Sequence, residues 1–491
     1  MEHIWYLWVY FNTEIILLWL ISTVMIIYLF NNWFTYTNED IILFCSFTFL
    51  AMLVIINSPI INMGDMQHFM FNNYFICGDN ILLVKKFILV LMIAYFIMLS
   101  NFSKAHYIPV FEYLILILIA LFSIFMLLHG NHLFIIFIFI ELLNLCIYCL
   151  LGINKDSNKG IESAFKYFIQ SAFATIIGFF GISLIYFTTG TLFLHELSIL
   201  IINKDLNWIT IAGIYFIIVT IFFKLGIFPL HSWVPEVYQG SVLISLVFIA
   251  LFPKIAYIVL FFKLYFEFHS IIKIFCLFVS GISIIYGSII SLYQTSFRRL
   301  LAYGSMVHIG LMVYSISFFS LDTIIGGFFY LMTYIILMLF IFLFMFFLFE
   351  KNTQGLVVID NISQISTQIS HNYILSVFFI FILFSLAGLP FFIGFIAKWY
   401  IFVNLLNVFN IGTVVIFLCV SILSASYYIR IIRFFFFFQK RDTKVKIYSQ
   451  IKYDNMLFHL IIIVFVLNIF VILFHNIIFL IILKKIMISF Y

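Results

Sequence analysis

Long apolar stretches separated by short polar segments dominate the hydrophobic pattern of this chain. Windows of roughly 20 apolar residues are long enough to cross a ~30 Å hydrocarbon layer as helices. The candidate spans are 13–31, 41–58, 81–100, 111–128, 133–152, 162–187, 208–237, 242–265, 271–293, 299–318, 322–349, 373–403, 409–432 and 457–480. The pattern predicts an all-α polytopic membrane protein of about fourteen transmembrane helices.

Two of these spans are interrupted by glycine and proline inside otherwise apolar sequence. Pro229 lies in the span 208–237, and Pro390 lies in the span 373–403. Proline removes a backbone donor and clashes with the preceding turn, so we expect the helices to break at these prolines. Because the two broken spans lie five spans apart, they predict two five-helix repeats of opposite topology.

The predicted spans divide the chain into four parts. They are helices one to three in 1–110, the first five-helix repeat in 111–265, the second, inverted repeat in 271–433, and a loop with the last helix in 434–491. Lys and Arg gather in segments that follow odd-numbered spans, which places those segments in the matrix or cytoplasm. Lys484 and Lys485 run against this orientation, because they would lie on the outer side.

The composition supports a membrane protein and bears on its origin. Of the 491 residues, 66% are hydrophobic and 9% are charged, more apolar surface than a soluble core can bury. The 69 Phe and 28 Tyr residues, with many Ile, Asn and Lys, have A/T-rich codons and favour an organellar genome. The N-terminus has no basic region and no small-residue cleavage site, so we expect no cleavable signal.

Ionisable residues inside the apolar spans are the main candidate functional groups. Glu141 and Lys254 lie within continuous apolar sequence, whereas Lys224 and Lys398 lie beside the two breaks. Charges at this depth are costly in lipid and mark ion or proton pathways. A lysine whose carboxylate partner approaches and retreats could take up and release a proton. Sodium or potassium coordination is less natural, because lysine has no acceptor.

Other titratable residues have plainer alternative interpretations. His231 and His308 could link the lysines through water, although a lone buried histidine is more often structural. Glu162 and Lys166 are further candidate site residues. They lie four apart on one helix face, which also fits an ordinary surface ion pair. Lys224 itself could extend from a helix end to the membrane surface. The six cysteines include one C-x-x-C pair on an apolar helix, which indicates packing rather than a metal site.

Five segments carry distinctive motifs in a fixed order. They are Glu141–Leu145 with Tyr148, Glu162–Phe168, Phe223–Gly240, Arg298–Gly310 and Leu386–Lys398. Together they resemble the motifs of NADH dehydrogenase subunit 2, a family of antiporter-like membrane subunits of respiratory complex I. Lys166-Tyr167-Phe168 and Glu236-Val237-Tyr238 favour subunit 2 over the sister subunits 4 and 5. The chain departs from the family pattern without losing a titratable group, at Leu230, Glu236, Ser241-Val242 and Gly304.

The resemblance implies a function and a set of roles. The chain would be a proton-translocating subunit of the membrane arm, driven by quinone reduction in other subunits. The implied roles are a carboxylate–lysine pair for Glu141 and Lys224, a central relay for Lys254, a terminal lysine for Lys398, and pathway histidines for His231 and His308.

The resemblance also implies what surrounds the chain. NADH, FMN, iron–sulfur clusters and ubiquinone would be bound by partner subunits, with no cofactor or metal in this chain. Partners would be the other membrane-arm subunits, including sister subunits 4 and 5, and membrane lipids, with no nucleic acid. The expected location is the mitochondrial inner membrane, with a bacterial plasma membrane as the alternative.

Two other functions remain open on the sequence. The first is a stand-alone or multisubunit cation/proton antiporter component, which would be active in liposomes without the complex. The second is a purely structural membrane subunit, in which Glu141, Lys224, Lys254 and Lys398 could be replaced without loss of proton pumping.

Overall fold

A computed structural model of the chain is almost entirely helical in the part that it describes. The described residues are 2–29, 38–57, 68–105, 109–153, 157–202, 207–346, 349–352, 355–358, 361–362, 373–407 and 411–437. The predicted span 457–480 and most of the predicted segment 434–491 therefore lie outside the described residues.

Fifteen long or short helices account for most of the described chain. They are α1 Glu2–Leu29, α2 Asn38–Asn57, α3 Asp79–Ala105, α4 Val110–His129, α5 Leu133–Leu151, α6 Asn158–Thr189, α7 Leu194–Ile202, α8 Trp208–Leu225, α9 Trp233–Gly240, α10 Leu243–Tyr293, α11 Phe297–Ile316, α12 Leu321–Met345, α13 Tyr373–Ala387, α14 Ile393–Asn407 and α15 Ile411–Phe437. Ten helices of the described part are long and apolar enough to cross a membrane. This confirms the polytopic helical fold and is compatible with about fourteen crossings.

The helix α10 contains two predicted spans in one continuous helix. Its 51 residues correspond to about 77 Å of helix at 1.5 Å per residue. That length exceeds twice the ~30 Å of a hydrocarbon core. The predicted connection between spans 242–265 and 271–293 is thus helical rather than a loop.

The described residues form two compact units. The first comprises those up to Lys224 together with Ile244–Ile271, and the second comprises Leu225–Leu243 and those from Ile272 onward. The predicted repeat boundaries, 111–265 and 271–433, stay a prediction.

Both predicted breaks are present. Helix α8 ends at Leu225 and α9 begins at Trp233, with Pro229 between them. Gly226 has a φ of +73°, and a Cβ built there would lie 2.5 Å from the Val234 side chain. Only glycine fits this conformation and this close approach without strain.

The second break also combines a glycine with a proline. Helix α13 ends at Ala387 and α14 begins at Ile393, with Pro390 between them. Gly388 ends α13 with a φ of +76°, the left-handed conformation that commonly terminates helices. Interruption of the two spans is therefore confirmed.

Two short antiparallel hairpins lie in segments predicted as connections. The strands are β1 His68–Met70 with β2 Phe75–Cys77, and β3 Phe349–Asn352 with β4 Gly355–Val358. The first hairpin is bound to the chain that follows α4, because Asn131 donates to the Asn73 carbonyl at 2.8 Å. This fixes β2 beside the end of α4.

Candidate functional site

A carboxylate, an amide and an ammonium form a continuous chain of hydrogen bonds in the first unit. Lys224, in the last turn of α8, donates to Asn144 Oδ1 at 2.9 Å. Asn144 Nδ2 donates in turn to Glu141 Oε2 at 3.2 Å. Lys224 is only 2% exposed and Asn144 is fully buried. The predicted Glu141–Lys224 pair is thus joined through Asn144.

The amide bridge has a chemical consequence. An amide oxygen accepts from the ammonium while the amide nitrogen donates to the carboxylate, so Asn144 satisfies both charges at once. The amide does not itself exchange protons near neutral pH. Asn144 therefore holds the two charged groups in fixed positions and does not itself pass a proton between them.

The position of Lys224 in its helix also favours its charged form. The last turn of a helix carries the negative end of the macrodipole, which stabilises cations. The ammonium also lies 5.3 Å from the centre of the Phe223 ring, within the range of a cation–π interaction. These terms offset part of the cost of burying the charge.

Lys254 occupies a different setting in the same unit. It follows Pro253 inside α10 and is 2% exposed. Proline has no backbone N–H, so Pro253 cannot donate to the carbonyl of Ile249 one turn earlier. This carbonyl therefore lacks its usual helical donor in the turn next to Lys254. Lys254 is thus enclosed by the protein within an apolar helix.

Lys398 is bound at the second break, in the second unit. Its Nζ donates to the carbonyls of Ala387 at 2.9 Å and Leu386 at 3.4 Å, and to Ser424 Oγ at 3.0 Å. The side chain reaches back from α14 to the carboxyl end of α13, where free carbonyls would otherwise lack donors. Gly388 leaves room for it, since a Cβ there would lie 3.0 Å from Lys398 Nζ.

His308 lies between two tyrosines in the second unit. Its Nδ1 is 2.6 Å from the Tyr330 hydroxyl, and its Nε2 is 3.2 Å from the Tyr428 hydroxyl. A neutral imidazole accepts at one nitrogen and donates at the other, so the three groups form one directional hydrogen-bond chain. Such a chain can pass a proton by exchanging its donors and acceptors.

The Lys398 and His308 groups meet on one helix. Ser424, which binds Lys398, and Tyr428, which binds His308, lie four residues apart on α15. Residues at this spacing share a helix face, with Cβ atoms roughly 5–6 Å apart. One face of α15 therefore carries polar contacts to both predicted site residues.

The remaining predicted residues are less enclosed. His231 lies in the segment between α8 and α9, partly buried, with its ring 4.8 Å from that of Tyr286. Glu162 and Lys166 form an ion pair of 2.7 Å on α6, with side chains 62% and 42% exposed. This geometry fits the surface-pair interpretation of Glu162 and Lys166.

Several residues of these groups were missed by the sequence reasoning. Asn144, Tyr330, Ser424 and Tyr428 are polar residues in apolar helices, but serine and tyrosine are common there. Asn144 had a usable signal, because it lies three residues after Glu141 and so on the same face. In the described part of the chain, no group of three His, Cys, Asp or Glu could hold a metal ion.

Comparisons with known proteins agree on one family. A family profile described as "NADH:quinone oxidoreductase/Mrp antiporter, TM" matches residues 130–424. NADH-quinone oxidoreductase subunit N of Wolbachia sp. subsp. Brugia malayi is 33% identical over 341 residues, 68% of this chain and 72% of that protein. The protein of the same name from Pelagibacter ubique is 31% identical over 396 residues, 80% of this chain and 82% of that protein.

The fold has a counterpart among solved structures. A chain of respiratory complex I from Thermus thermophilus, solved with bound aureothin, matches with a TM-score of 0.77 at 21% identity. The match covers 95% of this chain and 98% of that one. At this level of identity the likeness concerns the fold.

Proposed function

The chain belongs to the NADH:quinone oxidoreductase/Mrp antiporter membrane family, and on that premise we propose that it is the antiporter-like subunit N, or subunit 2, of an NADH:quinone oxidoreductase. In this role it translocates protons across the membrane. NADH oxidation and quinone reduction take place in partner subunits, where FMN, iron–sulfur clusters and ubiquinone bind. The energy of that reaction drives proton movement through this chain.

One observation carries the proposal: three lysines are buried in apolar helices. Lys224 and Lys398 make polar contacts there, and Lys254 follows a proline inside its helix. Lys224, Lys254 and Lys398 are 2%, 2% and 5% exposed. A purely structural subunit would gain stability from apolar residues of similar volume at these positions, because a buried charge costs more than it contributes. Three buried lysines are therefore expected only where their charges take part in the function of the protein.

The contacts suggest how a proton is held and moved. Lys224 holds it as an ammonium balanced by Glu141 through Asn144. When Lys224 turns from Asn144, Glu141 loses part of its neutralisation and attracts a proton instead. Lys254 is the central relay in this scheme and Lys398 is the terminal lysine.

The histidines complete the proposed path. His308 accepts or donates a proton through the hydroxyls of Tyr330 on α12 and Tyr428 on α15. Tyr428 lies on the α15 face that also binds Lys398. His231 has a comparable role at the first break. We keep Glu162 and Lys166 as an exposed pair that faces a neighbouring subunit or the membrane surface, and not as relay residues enclosed by this chain.

We also infer a location and neighbours. Partners are the other membrane-arm subunits, including antiporter-like sister subunits 4 and 5, with lipid around them. The A/T-biased composition supports the mitochondrial inner membrane, although the relatives named above are bacterial. Cofractionation of the chain with purified inner mitochondrial membranes, rather than with a bacterial plasma membrane, checks this inference.

The decisive experiment uses the assembled complex with Lys224 changed to Met or Glu141 changed to Gln. Each change removes a charge and keeps the volume, and we expect assembly to be retained while the proton-to-electron ratio falls. Lys166→Met, which removes an exposed lysine, is the matched control and should leave that ratio unchanged. An assembled Lys224→Met complex with the normal ratio would contradict the proposal.

A second arm separates the antiporter alternative. The purified chain, reconstituted alone in liposomes, should not exchange sodium or potassium for protons under an imposed gradient. Sodium/proton or potassium/proton exchange by the isolated chain would favour the antiporter interpretation over the complex I subunit.

A further inference from the structure

A second cluster of buried ionisable side chains lies in the first unit, among the N-terminal helices. Glu14 on α1, Lys85 on α3 and His129 at the end of α4 are at most 2% exposed. Lys85 Nζ lies 2.5 Å from Glu14 Oε1, and His129 Nε2 lies 3.4 Å from the same oxygen. Lys85 also donates to Thr13 Oγ1 at 3.1 Å. None of these residues belongs to the relay described above.

The partners of His129 determine which ring nitrogen carries its proton. Nδ1 lies 2.9 Å from the carbonyl oxygen of Ile76 on β2. A carbonyl only accepts, so Nδ1 is the protonated nitrogen of the neutral ring. Cys77 Sγ lies farther from the same atom, at 3.5 Å. Burial raises the pKa of the Cys77 thiol to about 12, so this neighbour is neutral and a weak partner.

The other nitrogen of His129 is then unsatisfied. Nε2 of a neutral ring with a protonated Nδ1 carries a lone pair, and among the described residues it has no hydrogen-bond partner. That lone pair faces a carboxylate oxygen of Glu14, which is a repulsive contact. A single proton placed on Nε2 would turn the contact into a charge-assisted hydrogen bond.

We propose that the Glu14–Lys85–His129 cluster is a proton-binding site and that His129 Nε2 is the atom that takes the proton. The step adds one proton from the aqueous phase, forms one N–H bond and breaks no bond within the cluster. Glu14 and Lys85 neutralise one another, so the cluster changes from neutral to a single positive charge. The Phe11 ring, stacked on the imidazole at 4.7 Å, is well placed to stabilise the cation.

Charged groups on the elements packed against His129 favour or oppose the added proton. Glu14 on α1 favours the added proton, whereas Lys85 on α3 opposes it. Cys77 on β2 is neutral. From α10, Lys263 donates to the carbonyls of Leu128 at 2.5 Å and Gly130 at 3.1 Å, on either side of His129, and its positive charge also opposes the proton.

The contact with Lys263 connects the site to the helix that carries Lys254. The two lysines are nine residues apart on α10, about 13.5 Å along a helix axis. Under the predicted orientation, the end of α4 lies on the outer side, where a pump releases its protons. That role as a release-side site rests on the proposed function, but proton binding by His129 does not.

The test is a pH titration of the resting, purified complex followed by infrared difference spectroscopy. Histidine carrying a ¹³C-labelled ring identifies the imidazole bands, and spectra are compared with those of His129→Gln. His195→Gln is the matched control, because His195 is an exposed histidine of the same unit. We expect the His129 substitution to remove one titrating imidazole band that the control retains.

Two further variants test the assignment without removing the histidine. Glu14→Gln should lower the midpoint of that band and Lys85→Met should raise it, each by about 1 to 3 pH units, because they remove an attractive and a repulsive charge. The double variant Glu14→Gln/Lys85→Met removes both charges, leaves no unpaired charge and serves as the folding control. The proposal is overturned if His129→Gln and wild type titrate identically, or if both single variants leave every imidazole midpoint unchanged.

The release-side role has a separate readout. Under the proposed function, His129→Gln should lower the proton-to-electron ratio of the turning-over complex. If the band titrates as expected but that ratio is normal, the site binds a proton and lies outside the pumping path. If Lys224→Met also leaves the ratio normal, the failure belongs to the proposed function instead.

Discussion

Gly388 offers a sharp test of whether the placement of Lys398 matters. A Cβ at residue 388 would lie 2.7 Å from Lys398 Cδ and 3.0 Å from its Nζ, and the backbone there has a φ of +76°. Gly388→Ala therefore introduces two separate penalties, one in the backbone and one against the lysine. The first costs about 1–2 kcal/mol.

The second penalty follows from the contacts of Lys398. The added methyl group displaces the Lys398 side chain. We expect the ammonium to leave the Ala387 carbonyl, at 2.9 Å, and a lost charge-assisted hydrogen bond costs about 1.5–3 kcal/mol. If about 2 kcal/mol of this is added to the barrier for proton transfer, transfer slows about 30-fold. We expect Gly388→Ala to assemble but to pump fewer protons per electron.

Two other glycines separate the effect of backbone strain from the effect of displacing Lys398. Gly190 has a φ of +72° with nothing within 4 Å of a built Cβ, and Gly412 has open space without that conformation. Gly190→Ala carries only the backbone strain and should lower the thermal stability of the complex without changing pumping. Gly412→Ala should change neither. If Gly388→Ala and Gly190→Ala pump equally well, the position of Lys398 is not what proton transfer requires.

Three further outcomes are expected in the assembled complex. Asn144→Leu removes the bridge between the charges of the first unit and should lower the proton-to-electron ratio; a normal ratio would mean that the bridge is dispensable. Ser424→Ala removes a hydrogen-bond partner of Lys398 at 3.0 Å and should also lower the proton-to-electron ratio. Ser426→Ala, which changes an exposed serine bonded to its own helix, should leave the ratio unchanged. Equal effects of the two changes would contradict a role for Ser424 in binding Lys398. Glu162→Gln should shift the thermal midpoint little, because solvent screens an exposed ion pair such as that with Lys166, and a large loss of stability would show that the pair is enclosed in the complex.

The membrane spans and their breaks could be predicted because their causes are local. Each span is a run of mostly apolar residues, and each break contains a proline two or three residues after a glycine. The two hairpins and the short helix α7 were not predicted, since they occur in connections whose pairing depends on neighbouring elements. The hydrophobic pattern predicts two spans where α10 is one continuous helix, because hydropathy marks where a chain leaves the membrane and not where its helix ends.

The candidate site was predictable only residue by residue. A charge in an apolar run is visible from sequence, so Glu141, Lys224, Lys254 and Lys398 stood out. Their partners are harder to predict. Ser424 is an ordinary residue of an apolar helix, and the importance of Asn144 lies in its contact with Lys224, which is distant in sequence.

The Glu14–Lys85–His129 cluster was missed for a related reason. Glu14 and Lys85 lie near the ends of predicted spans, where charges are ordinary. The two residues are 71 positions apart in the sequence, and no local pattern links them. The hydrophobic pattern ends the fourth span at residue 128 and so places His129 outside it, although His129 is the last residue of α4.

The two breaks stabilise a buried lysine ammonium group in different ways. Lys224 belongs to the helix that ends at the first break, whereas Lys398 follows the second break and reaches back to the helix that ends there. Both ammonium groups therefore lie at the negative end of a helix dipole. Their counter-charges differ: Lys224 faces a carboxylate through an amide, while the hydrogen bonds given above for Lys398 go to neutral oxygens. Loss of a proton from Lys224 leaves Glu141 uncompensated and so demands a second movement of charge, whereas Lys398 can exchange a proton without leaving an unpaired anion among these contacts. Under the proposed function, we therefore expect proton release from Lys224 to require a compensating movement of charge, and release from Lys398 not to require one.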